Sequence, residues 1–126
     1  MDVDTWKWTY LDNVPSPLSD DVRLLPEELP IVSCCLGSDH WYVMTTSRVI
    51  GCHESARFDF DPRSVVHWQW RDFKGVGFAE IEIARARLRD ERCIDFSFET
   101  GKASMAPIYY ERFWTIKYPI VDKLTV

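Results

Sequence analysis

Apolar and polar residues alternate with a period of two along most of this chain, which is the pattern of half-buried β-strands. The alternation is centred on residues 40–51, which read HWYVMTTSRVIG. Two β-prone runs flank a short break at Thr46 and Ser47, and successive residues of each run point to opposite faces of a strand. We therefore predict that these residues form a central β-hairpin.

Similar alternation predicts further strands on both sides of the hairpin, at residues 31–36, 58–60, 64–71 and 94–98. Residues 3–10 also alternate as a short strand or an extended arm, and the Pro- and Ser-rich residues 12–21 follow as a loop. In the third of these segments we place Trp68 and Trp70 toward the core, and Val65 with the other odd-numbered residues toward solvent. Residues 1–21 are thus an arm and a loop, and residues 22–100 supply the strands.

The segment 78–88 fits two patterns. Its first half alternates as a strand, but after Ile83 the apolar residues move to the opposite phase. A β-bulge shifts the alternation by one residue, so we predict a long strand with a bulge or bend near Ala84. The alternative is a helix, because Ile81, Ala84 and Leu88 fit helical spacing.

The period changes to that of a helix from Ser104 onward. Apolar residues then recur at intervals of three or four and form one stripe, the side with which an amphipathic helix packs: Met105, Tyr109, Phe113, Ile116, Ile120 and Leu124. Tyr110 and Trp114 lie on the flank of this stripe. Ser104 is suited to the N-cap, and Pro119 kinks or restarts the helix, so we predict a helix over residues 104–124 with a kink near Pro119.

These elements predict a single domain over residues 1–126, since a chain of this length forms one core. The predicted fold is mainly β: two antiparallel sheets packed as a sandwich or open barrel, closed by the C-terminal amphipathic helix. The alternative is an α+β sheet in which residues 78–88 are helical.

Composition narrows the classes of function. The net charge of −5 offers no general attraction for nucleic acid or anionic lipid, and suits a basic protein partner. No apolar run approaches the length of a transmembrane helix, and the N-terminus lacks the basic and apolar regions of a signal peptide. Four cysteines, two of them adjacent at positions 34 and 35, do not resemble a secreted disulfide framework, so we expect a cytoplasmic protein.

Part of the chain resembles a known family. Residues 25–29, LPEEL, the apolar run 31–35, a glycine turn and the sequence WYVMTTSRVI at 41–50 are similar to the opening of bacterial PH and GRAM-type domains. In that family a Thr-x-x-Arg-apolar-apolar sequence often follows two apolar strands, and residues 45–50 match it. The order of strands followed by one C-terminal helix is also that of the PH-like superfold.

The resemblance implies a PH-like binding scaffold and not an enzyme, with no cofactor. Lipid-binding PH domains place Lys and Arg in the first loop between strands. Here that loop is Gly37, Ser38, Asp39 and His40, which lacks them, so phosphoinositide binding is not carried over.

No catalytic or metal-binding motif accompanies the resemblance. The cysteines and histidines form no CxxC or HxxxH pair, and Cys34 and Cys35 point to opposite faces of a strand, so we expect buried thiols and no metal. The acidic pair Asp59 and Asp61 repeats at period two, as does Glu80 with Glu82, which is typical of a solvated strand face.

Aromatic and charged residues are the candidates for contact with a partner. The six tryptophans exceed what one small core needs, and Glu80 and Glu82 lead into a run of arginines that is either a guarded strand edge or a polar recognition edge. The candidate partner-binding residues are Trp6, Trp8, His67, Glu80, Glu82, Arg85, Arg87, Tyr110 and Trp114.

Three functions follow from the sequence as hypotheses. The first is a stand-alone, non-catalytic protein-binding module of PH/GRAM-like fold. A sharper version is a bacterial immunity protein that neutralises a toxin by direct binding, since a small acidic domain suits a basic enzyme cleft. The alternative of another class is a small-ligand or enzymatic pocket between the sheets that uses His40, His67 or the carboxylates. The sequence assigns no oligomeric state.

Overall fold

The computed structural model describes residues 6–75, 77 and 79–117, and it is mainly β, with two antiparallel sheets and one α-helix. The first sheet has five strands in sequence order: β1 (Thr9–Leu11), β2 (Pro30–Cys35), β3 (His40–Thr45), β4 (Val49–His53) and β5 (Ala56–Phe60). The second sheet has three: β6 (Val65–Trp70), β7 (Ile81–Leu88) and β8 (Cys93–Glu99). Helix α1 (Met105–Lys117) follows. The predicted two-sheet sandwich with a C-terminal helix is confirmed, and the described strands form no closed barrel.

The predicted central hairpin is β3 and β4. Its strands pair from His40 opposite His53 to Met44 opposite Val49, and they lie in the middle of the five-stranded sheet. One face of this sheet packs on the three-stranded sheet and on α1. The other face is covered by the loop that precedes β2, where Leu18 and Val22 pack on Trp41, Val43 and Ile50.

The main core lies between the two sheets and the helix and is rich in aromatic rings. Phe96 of β8 is fully buried at its centre, 5.4 Å from the ring of Tyr42 and 5.8 Å from that of Trp70. Trp68 and Trp70 are half-buried and stack on each other at 5.8 Å, so their predicted inward placement is confirmed.

The pairing of strands in the second sheet corrects two predictions. The register between β6 and β7 shifts between Val65 and His67, which turns Val65 into the core, so its predicted outward orientation is wrong. Strand β7 itself pairs with β8 without interruption from Ile81 to Arg87. The predicted bulge near Ala84 and the helical alternative are therefore both wrong.

The phase change in β7 has a simpler cause than a bulge. Ala84, Ala86 and Leu88 are buried, whereas Ile81 is 40% exposed because it lies on the outer face of the sheet. The strand therefore keeps one register throughout, and its first isoleucines are outer-face residues.

Helix α1 presents a different side to the core from the one its stripe predicts. Tyr109, Phe113 and Ile116 are 55%, 51% and 73% exposed, whereas the buried positions are Ala106, Pro107, Tyr110 and Trp114. Small residues such as Ala106 let the helix approach the sheet closely, and the Tyr110 hydroxyl donates to the Thr45 carbonyl at 2.8 Å. The predicted stripe orientation is thus wrong.

The start of the helix differs from the prediction in the turn that precedes it. The helix begins at Met105 after a 3-10 turn, and the Ser104 hydroxyl donates to the Gly101 carbonyl. Ser104 therefore directly precedes the helix, where the N-cap was predicted, but its hydroxyl donates back into the turn before the helix. The predicted kink at Pro119 and the end of the predicted helix lie outside the described residues. Within those residues, no helix has the length and apolar character needed to span a membrane.

Gly51 allows the ring of Phe58 to pack in the middle of the sheet. A Cβ atom there would lie 2.4 Å from Phe58 Cζ and 2.4 Å from the Trp41 carbonyl oxygen. We expect Gly51→Ala to lower the free energy of unfolding by about 1–3 kcal/mol, because the backbone oxygen cannot move aside. Urea denaturation measures this change. Gly77→Ala is the control, since among the described residues its Cβ would meet the flexible Asp72 carboxylate at 3.1 Å, and equal losses in both variants would contradict the prediction.

Candidate interaction surface

A groove runs between α1 and the edge of the five-stranded sheet. We call it the α1 groove; its volume is about 350 Å³ and its lining residues are Leu11, Ile31, Val32, Ala106, Tyr109, Tyr110 and Phe113. The lining is almost wholly apolar. Helix α1 is held beside β2 by its buried side, so that Tyr109 and Phe113 form the outer wall of the groove. Such a surface is suited to apolar contact.

Further exposed apolar side chains adjoin the lining residues in the chain. Ile116 lies one helical turn beyond Phe113, and Leu29, which is 63% exposed, precedes the start of β2. Charged residues flank the apolar area: Asp12 follows Leu11 on the strand side, and Arg112 is exposed on the helix side. Contiguous exposed apolar surface rimmed by polar residues is typical of an interaction site.

A second cluster joins the residues of the LPEEL and Thr-x-x-Arg sequences. Glu28 is only 7% exposed, and its carboxylate accepts hydrogen bonds from Arg48 Nε at 2.9 Å and from a terminal guanidinium nitrogen of Arg48 at 3.1 Å. The Thr45 and Ser47 hydroxyls and the Leu25 N–H also donate to it.

The Glu28 carboxylate is strongly stabilised in its charged form. Burial by itself would raise its pKa, but the hydrogen bonds from Arg48, Thr45 and the Leu25 N–H outweigh burial and lower the pKa from 4.5 to about 2. Arg48 also bonds Asp59 at 3.0 Å and the Arg23 carbonyl at 2.7 Å. Because these polar groups bond one another, the cluster fixes the loop before β2 to the central hairpin and leaves little bonding capacity for a ligand.

The N-terminal arm is fastened to β8. Glu99 is buried, and its carboxylate accepts hydrogen bonds from the Lys7 and Trp8 N–H groups and from the Thr9 hydroxyl at 2.8–2.9 Å. Trp6 and Trp8 are half-buried and pack against the main core. The structure thus places both candidate tryptophans where they anchor the arm.

The charged candidates of the 80–87 segment do not form one surface. Strand β7 is the central strand of its sheet. The predictions that this segment forms a guarded strand edge or a polar recognition edge are therefore both wrong. Glu80 pairs with Lys7 before the strand begins, and Glu82 lies on the face opposite to Arg85 and Arg87. Arg85 bonds Asp95 at 2.7 Å.

The remaining candidates are separated as well. His67 is exposed on the outer face of the second sheet, opposite Arg87, whereas the rings of His40 and His53 pack edge to face at 5.1 Å in the hairpin. Tyr110 and Trp114 are buried in the core, at 4% and 8% exposure. The four cysteines are free thiols. Cys34 and Cys52 are buried as expected, and burial raises the pKa of Cys34 to about 12, but Cys93 is exposed, so the expectation of buried thiols is wrong there. No group of three or more potential metal ligands occurs among the described residues.

Sequence reasoning missed the surface residues Leu11, Leu29 and Ile31 and placed Tyr109, Phe113 and Ile116 on the packing side of the helix. The available signal was the pair of small residues Ala103 and Ala106, which together with Tyr110 mark a second, narrower helix face. Both faces are apolar, so periodicity alone does not say which one meets the sheet.

Comparison of the chain with protein-family models, with curated proteins and with solved structures finds no significant match.

Proposed function

We propose that this protein is a stand-alone, non-catalytic protein-binding module of PH/GRAM-like fold, and that it binds through the α1 groove. The observation that carries the proposal is the solvent exposure of Tyr109, Phe113 and Ile116, three large apolar side chains on one side of a helix whose other side is already packed. Exposing them costs solvation free energy, which contact with a protein would recover.

The shape of the surface favours a protein over a small molecule. The groove is open, exposed apolar residues adjoin its lining residues along the chain, and its walls offer the aromatic side chains that are enriched in protein interfaces. The polar residues that a ligand pocket or active site between the sheets would use lie on separate elements. His67 is on the outer face of the second sheet, His40 packs on His53 in the hairpin, and Asp59 lines a polar cleft with Arg48 and Arg57.

The order of elements supports the PH-like assignment. Strands β2–β5 form four consecutive strands, β6–β8 form three more, and α1 follows, which is the order expected of a PH-like domain; β1 adds a fifth strand at the edge. The free thiols of all four cysteines support the proposal that the protein acts in the reducing cytoplasm.

A capture experiment tests the proposal. Tagged wild-type protein and Phe113→Asp are each incubated with native lysate of the source cell, and bound proteins are quantified by mass spectrometry. We expect a stoichiometric partner, which can be a copy of the same chain, to be captured by the wild type and reduced at least about tenfold by Phe113→Asp, since a charge at the centre of an apolar contact is not solvated.

The control is Arg87→Asp, which also adds an acidic side chain to an exposed position but on the outer face of the second sheet. It should capture the partner as the wild type does. No captured protein with the wild type, or equal capture by Phe113→Asp, would overturn the proposal. Matching thermal stabilities of the three proteins exclude unfolding as the cause.

The immunity hypothesis is the second candidate, and the distribution of charge favours it. Residues 1–61, which include the five-stranded sheet, carry eleven Asp and Glu against four Lys and Arg, a net charge of −7, whereas residues 62–126 carry nine against eleven, a net charge of +2. An acidic half suits the basic cleft of a toxin. Under this candidate the captured partner is a basic enzyme that is released as salt concentration rises.

A further inference from the structure

The α1 groove has two unlike rims, and this asymmetry points to its occupant. On the helix rim, Arg112 is exposed between Tyr109 and Ile116, and Lys117 lies with its ammonium 5.3 Å from the centre of the Phe113 ring. On the strand rim, Asp12 is exposed directly after the lining residue Leu11. The helix rim is therefore basic and the strand rim is acidic, with an apolar floor between them.

A surface with a basic rim and an acidic rim is complementary to itself. A two-fold axis along the floor of the groove would place the helix rim of one molecule on the strand rim of another. The apolar floors would meet at the centre, and Arg112 of each copy would face Asp12 of the other. This is the arrangement of an isologous interface, in which each contact occurs twice.

We propose that the groove binds the same groove of a second copy of this chain, forming a two-fold symmetric dimer. The inference rests on the proposed function, because it names the partner of that same surface. It places Phe113 and Tyr109 at the centre of the interface and the charged residues at its margin, as in protein interfaces generally.

The exposed apolar area agrees with a dimer that has an interface of standard size or smaller. Leu11, Leu29, Tyr109, Phe113 and Ile116 are between 37% and 73% exposed. With roughly 200 Å² for each large side chain, they present on the order of 500 Å² of apolar residue surface. A standard interface buries about 800 Å² on each partner, so these residues would supply its apolar centre and the rims the remainder.

Reversal of the rim charges tests the dimer and its symmetry together. Arg112→Asp places two acidic rims against each other in its homodimer, and Asp12→Arg places two basic rims against each other. In the mixed dimer every such contact again joins opposite charges. We therefore expect each variant alone to dimerise at least about tenfold more weakly than the wild type, and an equimolar mixture to regain dimer formation.

Sedimentation velocity over a wide range of protein concentration measures the association, with Arg87→Asp as a control that should dimerise like the wild type. A wild type that stays monomeric overturns the inference, and so does a mixture that associates no better than its components. Either failure is distinct from failure of the proposed function. A monomer can still capture a different protein through this groove, and Phe113→Asp would then abolish that capture.

Discussion

Arg48→Met is expected to lower the free energy of unfolding by about 3–5 kcal/mol, because it leaves the buried Glu28 carboxylate without its counterion. Methionine retains much of the aliphatic volume, so the loss reports the ionic contact and not a cavity. Urea denaturation at neutral pH measures it. The matched control is Arg63→Met, which removes an ion pair with Asp61 whose side chains are 55% and 41% exposed and should cost about 1 kcal/mol or less.

The pH dependence supplies a second measurement of the same contact. The pKa of Glu28 is about 2 in the folded protein and 4.5 ordinarily, so its carboxylate contributes stability that is fully present above about pH 4.5 and is lost as the pH falls toward 2. The shift corresponds to about 3 kcal/mol. The difference between the wild type and Arg48→Met should therefore shrink on acidification. A difference that stays constant down to the acid transition would show that Arg48 stabilises the fold by packing alone.

Phe96→Ala is expected to lower the free energy of unfolding by about 3–5 kcal/mol. The Phe96 ring is fully buried and contacts aromatic rings from both sheets, with centroids 5.4 Å from Tyr42 and 6.5 Å from Trp68. Its removal leaves a cavity that the stacked tryptophans cannot fill without leaving their positions. Urea denaturation gives the loss, and a thermal shift on adding benzene would report the cavity, since an apolar cavity of this size binds such a molecule.

Phe113→Ala is the control for this prediction, because it makes the same chemical change at a side chain that is 51% exposed. At a protein concentration low enough to keep the chain monomeric, so that the proposed dimer does not contribute, it should cost about 1 kcal/mol or less. If both variants lose the same stability, Phe96 is not the centre of the core, and the packing of the two sheets described above is wrong.

The local pattern of apolar and polar residues was sufficient to predict most of the strands. The alternation over residues 40–51 predicted the β3–β4 hairpin, and the alternation over 94–98 predicted β8, because one face of each strand is buried and the other is polar or differently covered. The pattern failed at β7, where Ile81 lies on the outer face together with Arg85. An exposed isoleucine breaks the rule that apolar residues face inward, and a bulge was the wrong explanation.

The candidate site was less accessible to sequence reasoning than the fold. The residues of the LPEEL and Thr-x-x-Arg sequences stood out, and the structure joins them through Glu28 and Arg48, but as a buried ionic contact that holds a loop to the hairpin. The α1 groove was missed because its walls come from Leu11 and Phe113, more than a hundred positions apart. No local period relates two such residues.

The sequence by itself determined the positions of most strands along the chain, the break at Thr46 and Ser47 and the presence of a C-terminal helix, because these depend on propensities and periods within a few residues. Only the tertiary structure decided which side of α1 is buried. Both sides carry large aromatic residues, Tyr110 and Trp114 on one and Tyr109 and Phe113 on the other. The two sides differ in how closely they can pack against the sheet. Close approach at Ala106 and a hydrogen bond from Tyr110 to the Thr45 carbonyl favour one side, and the aromatic side chains of the other are left on the surface.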